Sequence, residues 1–407
     1  PVFNLWAADV NCDGTINILD ITMLNSFIAG TGTGPLNCCS SSLPLTYVPD
    51  NNFEAYLESN GMGNGIPNDD YVTTANINTV TFLSLPQFFN ISDLTGIEDF
   101  TALTDLTCGD NQLTTLDVSQ NIALTFLQCH NNQLTTLDLS GATALTTLIC
   151  RDNQLTALDV SNNTALSLHF DCSNNQLISL DVSQNIALTH LNCMSNNLTS
   201  LVVNGATALT NLSCNQNQLT TLDVSGATAL LEVECYSNNL TNLVVNGATA
   251  LTNLSCSDNQ LTSLDVSQNI ALTVLICLDN QLSSLDVSNN TALIDLRCSD
   301  NQLTNLDVRN GNNTNFSNNY NFNTINNPNL YCIDVDDATW STANWTNIDP
   351  QHYFSNNCSG TAIEEHTTNK ELLRTIDVLG RETKRIKNEP LFYIYDDGTV
   401  EKHIIIE

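Results

Sequence analysis

Positive charge is almost missing from the first 358 residues of this 407-residue chain, which hold only Arg151, Arg297 and Arg309. The other seven lysines and arginines lie in 359–407, and the net charge is −33. So acidic a surface repels phosphate backbones and anionic membranes, which sets nucleic acid aside as a partner and favours solubility in salty surroundings; cations stay open as partners. Aromatic residues make up only 6% of the chain, against one bulky core and in favour of thin, repeated layers. No apolar run nears the ~20 residues that cross a bilayer, so no membrane span is expected. The chain opens at Pro1 without a methionine or a signal sequence, as a mature or truncated product would.

Cysteine is plentiful, and ten of the fifteen recur: Cys108, Cys129, Cys150, Cys172, Cys193, Cys214, Cys235, Cys256, Cys277 and Cys298, each 21 residues after the last except for one step of 22. A period in this range means a solenoid. Around each cysteine the pattern is L-x-x-L-x-C-x-x-N-x-L, as in Leu124, Leu127, Cys129, Asn132 and Leu134, and the other half of the unit, "LTTLDVSQN", repeats the L-x-x-L-x-V spacing. Alternation places Leu127 and Cys129 on the inner face of a short parallel strand and Phe126 and Gln128 on the outer face. One turn cannot bury its leucines alone, so the turns must stack.

Three readings of the cysteine column compete. Equivalent atoms on neighbouring parallel strands lie ~4.8 Å apart, whereas disulfide Cβ atoms prefer ~3.8 Å and aim at each other. Tetrahedral zinc needs four convergent ligands, which a straight column does not offer. Buried, reduced thiols acting as small hydrophobes are therefore expected. A column of asparagines, Asn111 to Asn301, falls where the chain leaves the strand, and its amides can satisfy the backbone groups left unpaired there.

The pattern resembles the 21-residue bacterial class of the leucine-rich repeat family over about residues 91–335, with cysteine where leucine is usual. The resemblance implies a repeat solenoid of α/β type with parallel strands, mostly β and coil; outside it, small N-terminal helical segments and a C-terminal β-hairpin tail are expected from the motifs at the two ends. The resemblance also implies a protein ligand, or a glycan, bound along the strand face. The outward columns of that face vary: Phe126, Gln128, His130, Arg151, His169, His190, Glu232, Tyr236 and Arg297 are the candidate contacts, with neutral drift at exposed sites as the alternative. His169 and His190, near Asp171, make a metal pair conceivable beside the plainer reading of two solvated rings. The opposite half carries Asp117, Asp138, Asp159, Asp181, Asp223, Asp265, Asp286 and Asp307, broken by Val202 and Val244. Unit charges ~4.8 Å apart repel by about 1 kcal/mol in water, so salt or neighbouring Ser and Thr donors must relieve this ladder; a calcium stripe is the alternative.

Both ends carry other motifs. "DVNCDGTINILD" sets Asp9, Asn11, Asp13, Thr15, Asn17 and Asp20 at positions 1, 3, 5, 7, 9 and 12 of a loop whose sixth residue is Gly14, a spacing that aims oxygens at one Ca2+ ion. With the helical pattern that follows, it resembles half of a type I dockerin, which implies a cohesin partner. "VPDNNFEAYLESNG" places Asn51 and Glu54 at capping-box spacing and predicts a short helix over the first turn. Cys332 and Cys358 can close a disulfide loop over the last turn. In the tail, alternation around Asp396, Asp397 and Gly398 suggests a hairpin. "DVLGRE" and "YIYDDGTVEKHIIIE" resemble the sorting domain of type IX secretion, which implies that secretion machinery as a partner and a secreted or cell-surface location. The expected order is a calcium module at 1–30, a linker at 31–44, an N-terminal cap at 45–90, the solenoid at 91–335, a C-terminal cap at 336–358 and the partial sorting domain at 359–407. No nucleophile stands beside a uniquely placed base, so no enzyme is expected.

Overall fold

Each 21-residue unit closes one turn of a coil. The computed structural model describes residues 44–316, 321–358, 372–376, 380–383, 390–395 and 400–404. The chain divides into two compact units, residues 1–356 and 357–407. In the first, a 12-stranded parallel sheet runs from Phe82–Ser84 through Asp105–Thr107, Phe126–Gln128 and successive turns to Asp295–Arg297 and Phe322–Asn323. Neighbouring strands pair without slip, Leu127 with Leu148 and Leu212 with Val233. The register is fixed because a one-residue shift would turn every leucine out to solvent.

Inside, the leucines and all ten repeat cysteines are buried. The thiols are free, as the spacing argument required. Burial pushes Cys129, Cys193, Cys256 and Cys298 up to about 12 and raises the other six. Two residues past each cysteine the backbone turns through a left-handed residue, from Asp110 (φ 56°) to Asp300 (φ 54°), and the asparagine that follows secures the turn. Asn217 shows the bonding: its Nδ2 donates to the carbonyls of Cys193 and Cys214, both at 3.1 Å, and its Oδ1 accepts from Leu198 N–H at 2.9 Å.

The other side of the coil carries short parallel pairs, such as Thr115–Asp117 with Thr136–Asp138, and a four-stranded sheet from Ser284–Asp286 to Tyr353–Ser355. Here the aspartate ladder is relieved as expected. The serine two residues on donates to every carboxylate of the ladder but Asp307, as Ser140 N–H does to Asp138 at 2.9 Å, and Arg309 N–H does the same for Asp307 at 3.0 Å. The backbone N–H and then the hydroxyl of Ser140 and Ser161 hold Asp138 and Asp159 below the ordinary carboxylate value. Hydroxyl and then N–H of Ser225 and Ser267 do the same for Asp223 and Asp265.

The first turn is covered by the helix Asn51–Ser59, but its cap differs from the expectation. Asp50, not Asn51, is the N-cap; its Oδ1 accepts from Asn52 and Phe53 N–H, while Oδ2 accepts from Ser92. Glu54 is buried and accepts from Asp69 N–H instead of closing a capping box. A carboxylate with two free oxygens joins helix and solenoid, which an asparagine at position 51 could not do. At the far end Trp345 stacks on Phe322, ring centroids 3.9 Å apart, and seals the last turn.

In the second unit, Leu372–Ile376, Pro390–Tyr395 and Val400–Ile404 form a three-stranded antiparallel sheet. The last two strands pair as a hairpin would; Asp396, Asp397 and Gly398 lie outside the described residues. So do the calcium loop from Asp9 to Asp20 and the linker cysteines Cys38 and Cys39. Among the described residues no helix is long and apolar enough to cross a membrane.

Candidate binding face

The outer surface of the 12-stranded sheet gathers the variable residues into three columns. In the first, Asp105, Phe126, Thr147, His169, His190, Asn211 and Glu232 follow one another in register. Most are half-buried, each shielded by its neighbours above and below. The His169 and His190 rings lie 6.3 Å apart and tilted by 48°. No group of three or more His, Cys, Asp or Glu that could hold a metal ion gathers among the described residues, so this pair stands without a third ligand.

Charged side chains occur in all three columns. Arg297 reaches across to Asp295 through two hydrogen bonds of 2.9 and 2.8 Å, which raise the guanidinium further above its ordinary value. Arg151 pairs with Asp152 and lies 3.9 Å from Asp171. Glu232 accepts from Asn211 Nδ2 at 2.9 Å and Glu234 from Ser213 Oγ at 3.1 Å, both from the preceding turn. Tyr236 follows on the same turn and is half-buried.

His130 departs from its expected place on the surface. Only 6% of it is exposed. Gly109 in the preceding turn makes the room, since a Cβ there would lie 2.4 Å from the imidazole Cε1. Gln128 Nε2 lies 3.1 Å from its Nδ1, and Asp110 is 3.4 Å from its Nε2. His130 therefore braces the face instead of presenting a contact. Away from the face, Cys332 and Cys358 are each disulfide-bonded.

Two features of this part of the chain escaped the sequence. Asn215, between Met194 and Tyr236 in the third column, is 1% exposed, and neither its Nδ2 nor its Oδ1 has a hydrogen-bond partner. On the opposite side a second buried asparagine set, Asn121, Asn163, Asn185, Asn269 and Asn290, ties five of the turns to the one before; Asn163 Nδ2 donates to the carbonyls of Leu139 and Ala142 at 3.0 and 2.9 Å.

The functional domain of InlJ from Listeria monocytogenes is 34% identical to this chain, covering 76% of this chain and 70% of that one with a TM-score of 0.58, and it is described as including a cysteine ladder. The chain belongs to the bacterial leucine-rich repeat family. Within that family, a leucine-rich repeat protein of Leptospira interrogans is 22% identical over 64% of this chain and 74% of its own, TM-score 0.49. The internalin InlF from Listeria monocytogenes is 21% identical over 74% and 95%, TM-score 0.47. No family model matches the leucine-rich repeat chain, and no curated protein sequence does.

Proposed function

We propose that this leucine-rich repeat chain is a non-enzymatic binding protein, secreted or held at the cell surface, that recognises a protein along the outer face of its 12-stranded sheet. One observation carries the reading: the inward positions repeat leucine and cysteine almost without change, while the outward columns of the same strands change from turn to turn. A uniform scaffold with a varied, partly shielded surface offers many distinct contacts at little ordering cost. Rigid columns of mixed aromatic, charged and amide side chains suit a protein ligand, in which all three find counterparts.

The test is capture of partners from cell-surface extracts by the full chain and by a variant carrying Phe126→Ala, His190→Ala and Arg297→Ala together. Loss of the captured partner with unchanged thermal stability is expected; undiminished capture would remove the strand face from consideration. The loop Asp9, Asn11, Asp13, Thr15, Asn17 and Asp20 supports a second, calcium-dependent role in docking to a cohesin-like scaffold, tested by calcium calorimetry on the full chain. The tail's likeness to sorting domains supports export through type IX machinery.

A further inference from the structure

We propose that the turn carrying Glu232, Glu234 and Tyr236 is an arginine-binding subsite of the strand face, completed by the buried amide of Asn215; it rests on the reading of that face as a protein-binding surface. Six residues form a small grid. Asn211 and Ser213 flank inward Leu212 on one strand, Glu232 and Glu234 stand level with them on the next, and Asn215 and Tyr236 follow just past the two strands in the same step.

Three observations point to a cationic side chain. The two carboxylates lie two residues apart on one face of a strand, about 6.8 Å along it, and their amide and hydroxyl donors come from the preceding turn only. Among the described residues no salt bridge engages either one, whereas the repeat arginines are each taken by an aspartate: Arg151 by Asp152, Arg297 by Asp295 and Arg309 by Asp307. Glu232 and Glu234 are thus held in place with no positive partner within this chain's described residues.

Asn215 is the independent sign. A buried amide with both ends unpaired costs stability, and natural interiors rarely keep one. It lies two residues beyond Ser213 in the outward column and level with Tyr236, where Gln216 N–H donates to Tyr236 O, and it is covered by its neighbours, so its Oδ1 becomes one more acceptor for a donor that displaces that cover. A guanidinium fits this set better than an ammonium. It has five donors in a plane, enough to meet two carboxylates and an amide oxygen, and its flat face can lie on the tyrosine ring. The net charge of −33 draws a basic partner toward the chain from a distance.

The experiment measures binding of a fluorescein-labelled peptide of alternating arginine and glycine to the full chain at fixed salt, beside the same peptide with lysine for arginine. The arginine peptide is expected to bind more tightly. E232Q/E234Q should weaken it by about tenfold or more, the worth of a charge-assisted pair. D117N/D138N removes the same charge on the opposite side of the coil and should change affinity by less than about twofold. N215L should weaken binding without lowering the melting temperature, because it removes an unpaired amide from a buried place. Equal losses in the two double variants would reduce the effect to general charge attraction and overturn the proposal, as would unchanged affinity in E232Q/E234Q or in N215L. If the peptide does not bind while F126A/H190A/R297A still loses its captured partner, the arginine subsite falls and the protein-binding face stands.

Discussion

A single asparagine shows how much of this coil rests on side-chain amides. Asn217 bonds two cysteine carbonyls and one leucine N–H, none of which a strand ladder would otherwise serve at the turn. Asn217→Ala leaves a buried donor unpaired and is expected to cost about 2–4 kcal/mol in urea denaturation, more than loss of a comparable apolar volume would. Phe88 predicts the opposite sign. Its N–H donates to Asp110 O as Asp110 N–H donates to His130 O, so it occupies the left-handed column that the later turns fill with Asp, Asn, Ser or Gln. A phenylalanine at φ 60° with 74% of its surface exposed is strained and gains little from burial. Phe88→Asn is expected to stabilise the chain by about 1 kcal/mol in the same measurement. The cysteine column, the asparagine column and the outward residues were legible because each recurs at a fixed step. His130 was not, since its burial depends on one glycine in the turn before it.

At the scale of the element, the turns on the side opposite the sheet come in two kinds. Five carry a long residue followed by buried asparagine: Gln120–Asn121, Asn162–Asn163, Gln184–Asn185, Gln268–Asn269 and Asn289–Asn290. Four carry glycine followed by alanine: Gly141–Ala142, Gly205–Ala206, Gly226–Ala227 and Gly247–Ala248. The two positions change together. With asparagine, the amide bridges to the carbonyls of the turn before; with alanine, the backbone itself closes on that turn. A Cβ at Gly205 would lie 1.9 Å from Ser183 O. Gly205→Gln alone should therefore destabilise by about 2–4 kcal/mol, and adding Ala206→Asn should recover part of the loss, a coupling that a double-mutant cycle reads directly. The pairing was visible in the sequence as "QN" or "NN" against "GA". Its meaning was not, because the reason lies in how closely two turns approach, and no single turn contains that distance.

For the first unit as a whole, the ten enclosed thiols set a limit on the alkaline side. Each has its folded value raised by burial, four of them to about 12, above the ~8.5 of a cysteine in an unfolded chain. The sign follows from linkage. Stability contributed by a raised thiol is fully present below the unfolded value and is lost as pH climbs toward the folded one, because only the unfolded chain releases the proton. Every buried thiol then adds about 1.4 kcal/mol of loss per pH unit, and ten together add about 14. Carboxylates such as Asp138, held low, act at the other end: their stability is present above the ordinary carboxylate value and fades as pH falls through the lowered one. Urea midpoints measured in reducing buffer should therefore fall steeply between pH 8 and pH 10. Replacing Cys214, Cys235 and Cys256 by alanine should lower the midpoint at pH 7 through lost packing, yet flatten the alkaline slope by about 4 kcal/mol per pH unit. A midpoint unmoved between pH 8 and pH 10 would mean that the column does not stay protonated inside the fold, and the thiols would have to be something other than buried filler.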